Sequence, residues 1–180
     1  MSGRTLVAGI GNIFLGDDGF GAEVVRQLAA AELPPQVTVA DYGISGMHLA
    51  YDLAGYDTAI LVDAVARGGA PGTVYVIEPD RPAGPGDAGA AGSADGGAAP
   101  RVSPFLDAHG MQPDVVLGVL GVLGGWAGRV LVVGCEPANT QEGIGLSPAV
   151  AGAVAEAVQK VRELVGATGK ERSHVPGHTG

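Results

Sequence analysis

A chain of 180 residues with a formal net charge of −9 is long enough for one domain with a proper hydrophobic core, and too acidic to favour nucleic acid or an anionic membrane as a partner. Its single cysteine, Cys135, excludes an internal disulfide framework and a cysteine-rich metal site. Glycine is over-represented at 32 of 180 residues, against about 7% in average usage, and part of the excess sits in one segment described below.

The chain begins with one basic residue, Arg4, before a short apolar run, Thr5–Ala8, that soon meets Asp17. That pattern reads as a first strand and not as a secretory signal. The stretch Val7–Gly21, V-A-G-I-G-N-I-F-L-G-D-D-G-F-G, turns through Gly9, Gly11 and Asn12 and reaches Asp17-Asp18. An amphipathic helix over Asp18–Ala31 follows, with Phe20, Val24, Val25 and Leu28 at helical spacing, and Pro34-Pro35 stops it. A nucleotide fingerprint G-x-G-x-x-G fits Gly9 and Gly11 but meets Phe14 at its third position, and the two acids would repel a pyrophosphate. Asp at a helix start is also an ordinary cap, which accounts for one acid but not for the second.

Val37–Ala40 is a short strand closed by the turn D-Y-G-I-S-G at Asp41–Gly46, and Ser45 is expected to cap a second helix through Met47, Leu49, Tyr51 and Leu53. Thr58–Val65 is the clearest buried strand, with Asp63 near its carboxyl end, and Gly72–Glu78 is a further strand. In 81–101, glycine supplies 6, alanine 7 and proline 3 of 21 residues, too little apolar surface to order a chain, so a flexible insertion is expected. Asp114–Leu123 reads as a helix, Arg129–Cys135 as the last strand and Ser147–Val165 as the last helix. Val150, Val154, Val158, Val161 and Val165 form that helix's stripe, capped by Ser147-Pro148. Cys135, in the run L-V-V-G-C, reads as a small buried hydrophobe. The tail 166–180 is polar and expected to be disordered. The longest apolar run, Val115–Ala127, is too short and glycine-rich to span a bilayer, and a soluble, cytoplasmic protein is expected.

The alternation of strands and helices predicts one α/β domain over 1–165, a mostly parallel sheet with helices on both faces and one antiparallel strand at Gly72–Glu78. In such sheets ligands bind at the carboxyl ends of the strands. Asp17-Asp18 and Asp63 belong to that edge, and His109 follows the insertion within reach of it. Two carboxylates and an imidazole suit a divalent metal with an open position. The plainer readings are a cap or loop ion pair for Asp63 and a surface histidine beside Asp107 for His109. Gly43-Ile-Ser-Gly46 lacks the last glycine of a nucleophile elbow, and His174 and His178 lie in the polar tail.

The motifs taken together resemble the hydrogenase maturation proteases. G-I-G-N-I-F-L-G-D-D-G-F-G is similar to that family's opening motif, G-x-G-N-x-L-x-x-D-(E or D)-G-x-G, and L-V-D-A at Leu61–Ala64 to its second. Ser103–His109 resembles its histidine region; G-C-E-P at Gly134–Pro137 and E-G-I-G-L-S-P at Glu142–Pro148 resemble its close. The resemblance spans residues 4–165. It implies a three-layer α/β/α sandwich around a five-stranded twisted sheet, phosphorylase/hydrolase-like in kind. It implies an endopeptidase that removes a carboxyl-terminal extension from the precursor of a nickel–iron hydrogenase large subunit. The metal ligands carry over to Asp18, Asp63 and His109, with Asp18 and Asp63 as the catalytic acids. The metal is a divalent ion, nickel, that arrives with the substrate, and no nucleotide is needed. Either the metal or an unliganded Asp63 acting as general base would activate the water. A monomer is expected. Two departures stand out: Asp18 replaces the glutamate of many members, and D-Y-G-I-S-G replaces D-G-G-T-x-G, so Gly43, Ser45 and Gly46 are expected to contact substrate. The competing classes are a non-catalytic chaperone that checks for nickel and, at a distance, a nucleotide-binding module.

Overall fold

The computed structural model describes residues 3–79 and 127–170. The described residues hold five strands and three α-helices, and the first three strands are separated by helices. β1 is Thr5–Ile10, α1 Phe20–Ala29, β2 Val37–Gly43, α2 Gly46–Leu53, β3 Thr58–Ala64, β4 Val74–Ile77, β5 Arg129–Cys135 and α3 Pro148–Lys170. The sheet order is β2-β1-β3-β5-β4. β1 pairs in parallel with β2 and β3, and β3 with β5, while β4 runs antiparallel to β5. The antiparallel strand is the one anticipated from sequence, since the P-G turn before it leaves too few residues for a crossover.

Strand residues alternate between two apolar layers because successive side chains point to opposite faces. Val7, Ile60, Val62, Leu131 and Val133 pack under α1 and α3, whereas Leu6, Ala8, Leu61, Val130 and Val132 pack under α2. Val150, Val154, Val161 and Val165 of the expected stripe are buried in the first layer, with Val158 packed at its margin. Cys135 is buried there too, and burial, followed by the negative charges of Asp17 and Glu136, pushes its thiol up to about 11. It is a packing residue.

Three boundaries differ from the sequence reading. A 3-10 turn, Gly16–Gly19, precedes α1, so the helix starts at Phe20 and both acids sit in the turn. β2 runs on to Gly43 through a register shift opposite Gly9 and Ile10. α3 continues to Lys170, past the expected end at Val165. The insertion 81–101, the Asp114–Leu123 helix, His109 and the histidines of the tail lie outside the described residues. No helix among the described residues is long and apolar enough to cross a membrane.

α1 lies close enough to the sheet that a side chain at Gly21 would collide with the carbonyl oxygens of Ile10 and Val62. Gly21→Ala is therefore expected to cost about 1–3 kcal/mol, the usual scale for overpacking a close contact. Urea denaturation would check it; a variant as stable as the parent would mean that α1 can shift away from the strands.

Candidate active site

Parallel pairing of β1 and β3 places the turn after β1 and the end of β3 side by side at the carboxyl edge. Gly11, with φ of +120°, makes the turn possible. A β-carbon there would strike the Asp18 carbonyl oxygen and lie 3.4 Å from Asp63 Oδ1. Glycine thus lets the Asp18 backbone and the Asp63 carboxylate pack against the same point of the turn. The Gly11 N–H donates to the Gly43 carbonyl at 3.0 Å, which fixes the end of β2 against the same turn.

Asp63 is 1% exposed. Its Oδ1 accepts the Ala64 N–H at 2.8 Å, while Oδ2 is buried without a hydrogen-bond partner. Burial first, and the negative charge of Asp18 second, raise its carboxyl well above the usual aspartate range. Asp18 is half-buried and accepts the Asn12 N–H on Oδ2 at 2.7 Å. Burial raises its pKa too, against the lowering effect of that hydrogen bond. Two acids that each disfavour ionisation, one with an orphaned oxygen, suit a cation that would relieve both. Among the described residues no third His, Cys, Asp or Glu completes a cluster with them. The expected third ligand, His109, lies outside those residues.

Asp17 has a separate role. It is fully buried and gathers the loop between β5 and α3. Its Oδ2 accepts the N–H groups of Ala138 at 2.8 Å and Asn139 at 2.9 Å and the Ser147 hydroxyl at 2.9 Å, and its Oδ1 accepts the Ser147 N–H at 2.6 Å. Burial alone would raise its pKa, but the bonds from Ser147, Asn139 and Ala138 outweigh that and lower it. Further bonds run between the backbones: Gly16 N–H to Gly143 O, Gly143 N–H to Phe14 O, and Asp17 N–H to Asn139 O. Local spacing left open which acid was the structural one, the resemblance pointed to Asp18 as the functional one, and neither anticipated this clamp. The Ser147 hydroxyl, read as part of the start of the last helix, is spent on Asp17 instead.

Gly43, Ser45 and Gly46 lie at the same edge. Gly43 takes φ of +53° and donates its N–H to Asp41 Oδ1 at 2.9 Å. Ser45 occupies the N-cap position of α2, but its hydroxyl makes no capping hydrogen bond. The expected side-chain cap is therefore absent: Ser45, with ψ of 56°, is exposed. One further buried acid went unrecognised in the sequence. Glu136, within G-C-E-P, accepts the N–H groups of Arg67 and Gly68 and the Tyr75 hydroxyl. Its burial, together with these bonds, fixes the loop that follows β3.

The family model described as hydrogenase maturation protease matches residues 22–83. The hydrogenase expression/formation protein HupD of Rhodobacter capsulatus is 34% identical over 166 residues, covering 88% of this chain and 71% of the relative. The hydrogenase 2 maturation protease of Escherichia coli is 29% identical over 171 residues, covering 93% of this chain and 94% of the relative. The solved structure of the hydrogenase maturating endopeptidase HybD from E. coli superimposes with a TM-score of 0.69 at 27% identity, covering 92% of this chain and 94% of that one. With the sheet, the order of the motifs and the likeness to HupD all in agreement, the chain belongs to the hydrogenase maturation protease family.

Proposed function

We propose that this endopeptidase removes a carboxyl-terminal extension from the nickel-loaded precursor of a nickel–iron hydrogenase large subunit, and that Asp18 and Asp63 recognise the nickel carried by that substrate. The observation that carries the reading is Asp63 Oδ2, a buried carboxylate oxygen without a hydrogen-bond partner, beside a second acid that opposes its ionisation. Such an arrangement is costly in the free protein and is relieved by a divalent cation. The residues divide the work. The Ala64 N–H fixes Oδ1 and so aims Oδ2, and the Asn12 N–H fixes Asp18. His109 is the proposed third ligand. A bound divalent ion would supply a polarised carbonyl and a more acidic water; the Ser45 hydroxyl and the Gly46 backbone are offered to the arriving chain, while Gly43, bonded to Asp41 and Gly11, shapes the turn that presents them.

Because the metal is proposed to arrive already held by the precursor, with Asp18, Asp63 and His109 only completing its ligand set, the purified protein is expected to come out largely free of nickel and zinc and still cleave nickel-loaded precursor. Elemental analysis after dialysis against a chelator, followed by a cleavage assay on nickel-loaded and nickel-free precursor, tests this. Stoichiometric zinc that survives the chelator would replace the substrate-borne metal with a resident one. In the same assay Asp18→Glu is expected to stay within about tenfold of the parent, since it keeps the charge and adds one methylene; a loss as complete as that of Asp18→Ala would tie the reach of Asp18 to this chain's own turn.

A further inference from the structure

We propose that the groove beside the paired acids seats an apolar segment of the precursor's carboxyl-terminal extension. This inference rests on the processing role proposed above and adds to it the place where the substrate chain lies.

A cavity of about 510 Å³ opens between α1, the carboxyl end of β2 and the tip of the β5–α3 loop. That volume falls within the usual range for ligand pockets, about 300–1,000 Å³. Its apolar lining includes Val25 and Ala29 from α1 and Val39 from β2. Ile13 and Ile144 stand at its lip, 48% and 82% exposed, and Phe14 beside Ile13 is 60% exposed. A single exposed isoleucine is ordinary, but two of them lining one cavity, with Phe14 adjoining, form an apolar patch of the kind that marks a contact surface. Its exposure does not come from a loose loop: the Gly143 N–H donates to Phe14 O at 2.9 Å and Gly143 O accepts the Gly16 N–H at 2.8 Å. The tip is pinned to the active-site turn with its side chain facing out.

Two features identify the occupant. The first is continuity. Gly16 and Gly19 line the cavity and bracket Asp18 in the same four-residue 3-10 turn. The groove thus ends at the turn that carries one of the two acids, and an endopeptidase must hold its substrate on at least one side of the bond it cuts. The second is charge. The polar members of the rim are Glu23, Arg26 and Asp41, and Arg26 is spent on Glu23 at 2.6 Å. The Asp41 carboxylate is left as the excess charge, which admits a neutral or basic segment and repels an acidic one.

The test uses the full chain and the purified nickel-loaded large-subunit precursor of its own hydrogenase. Ile13→Ser and Ile144→Ser remove apolar contact without adding charge, and both side chains are solvent-exposed enough that thermal unfolding should be unchanged. Each is expected to raise KM several-fold and the double variant about tenfold, the size of losing two aliphatic contacts that are each only partly buried, with kcat within about twofold. Ile144→Leu should restore the parent's KM. An unchanged KM in the double variant, with the parent cleaving normally, would overturn the groove and leave the processing role standing. Parent dimers that dissociate in the double variant, again with unchanged KM, would make the groove a contact between copies and likewise overturn the proposal. A parent that leaves nickel-loaded precursor uncut would sink the processing role and the groove with it.

Discussion

Asp63→Asn is expected to abolish cleavage of nickel-loaded precursor while making the protein more stable. Asparagine keeps the shape and an oxygen to accept the Ala64 N–H, but it removes the charge on which the cation and the bond-breaking step depend. Stability should move the other way. Burial and the neighbouring Asp18 charge hold the Asp63 pKa well above its ordinary value of 3.8, so between those two pH values the folded protein binds more protons than the unfolded chain. Stability contributed by this group is therefore full in acid and declines as pH rises from about 3.8 toward the raised value. The asparagine variant lacks that decline and should gain on the order of 1 kcal/mol at neutral pH, a usual scale for relief at a functional site. Urea denaturation across pH, beside the cleavage assay, checks both halves. A variant less stable than its parent at pH 7 would show that the Asp63 charge is compensated in a way its orphaned oxygen does not reveal.

Asp17→Ala should have the second large effect, through the fold. The substitution strands three backbone N–H groups and a hydroxyl that now converge on one carboxylate. Hydrogen bonds to charged groups are each worth about 1.5–3 kcal/mol. Even with partial relaxation, a loss of about 3 kcal/mol or more is expected. The β5–α3 loop should detach, exposing its amides to hydrogen exchange while the sheet stays protected. Asp17→Asn should be intermediate, because its NH₂ opposes donors where the carboxylate accepted them. The pH dependence has the opposite sign to that of Asp63. The folded pKa of Asp17 lies below 3.8, so its contribution is complete above that value and is lost as pH falls through the lower one. Unchanged exchange in 138–147 after Asp17→Ala would show that the backbone bonds alone dock the loop.

Much of this protein follows from one-dimensional pattern. The near-continuous apolar runs of Thr5–Ile10, Thr58–Ala64 and Arg129–Cys135 announce strands that need cover on both faces, because burial on two sides is the only way to satisfy both sets of side chains. Strands separated by helices pair in parallel, and parallel pairing alone brings the residues after β1 and at the end of β3 to one edge. The placement of Asp18 and Asp63 was legible for that reason, before any contact was known.

Tertiary structure decided what pattern could not. Asp17 and Asp18 are adjacent and chemically identical, yet the 3-10 turn buries one among four donors from residues 121 to 130 positions away and leaves the other half-exposed beside Asp63. Local sequence carries no record of partners that distant, so neither the clamp nor the diversion of Ser147 to it could be read from spacing. The absent cap at Ser45 has the same origin: propensity names the position, while the backbone angles there decide whether the hydroxyl reaches an amide. The groove is also a product of assembly. Ile13, Val39 and Ile144 belong to three separate elements, and they share one surface only because the loop between β5 and α3 folds back onto the turn after β1.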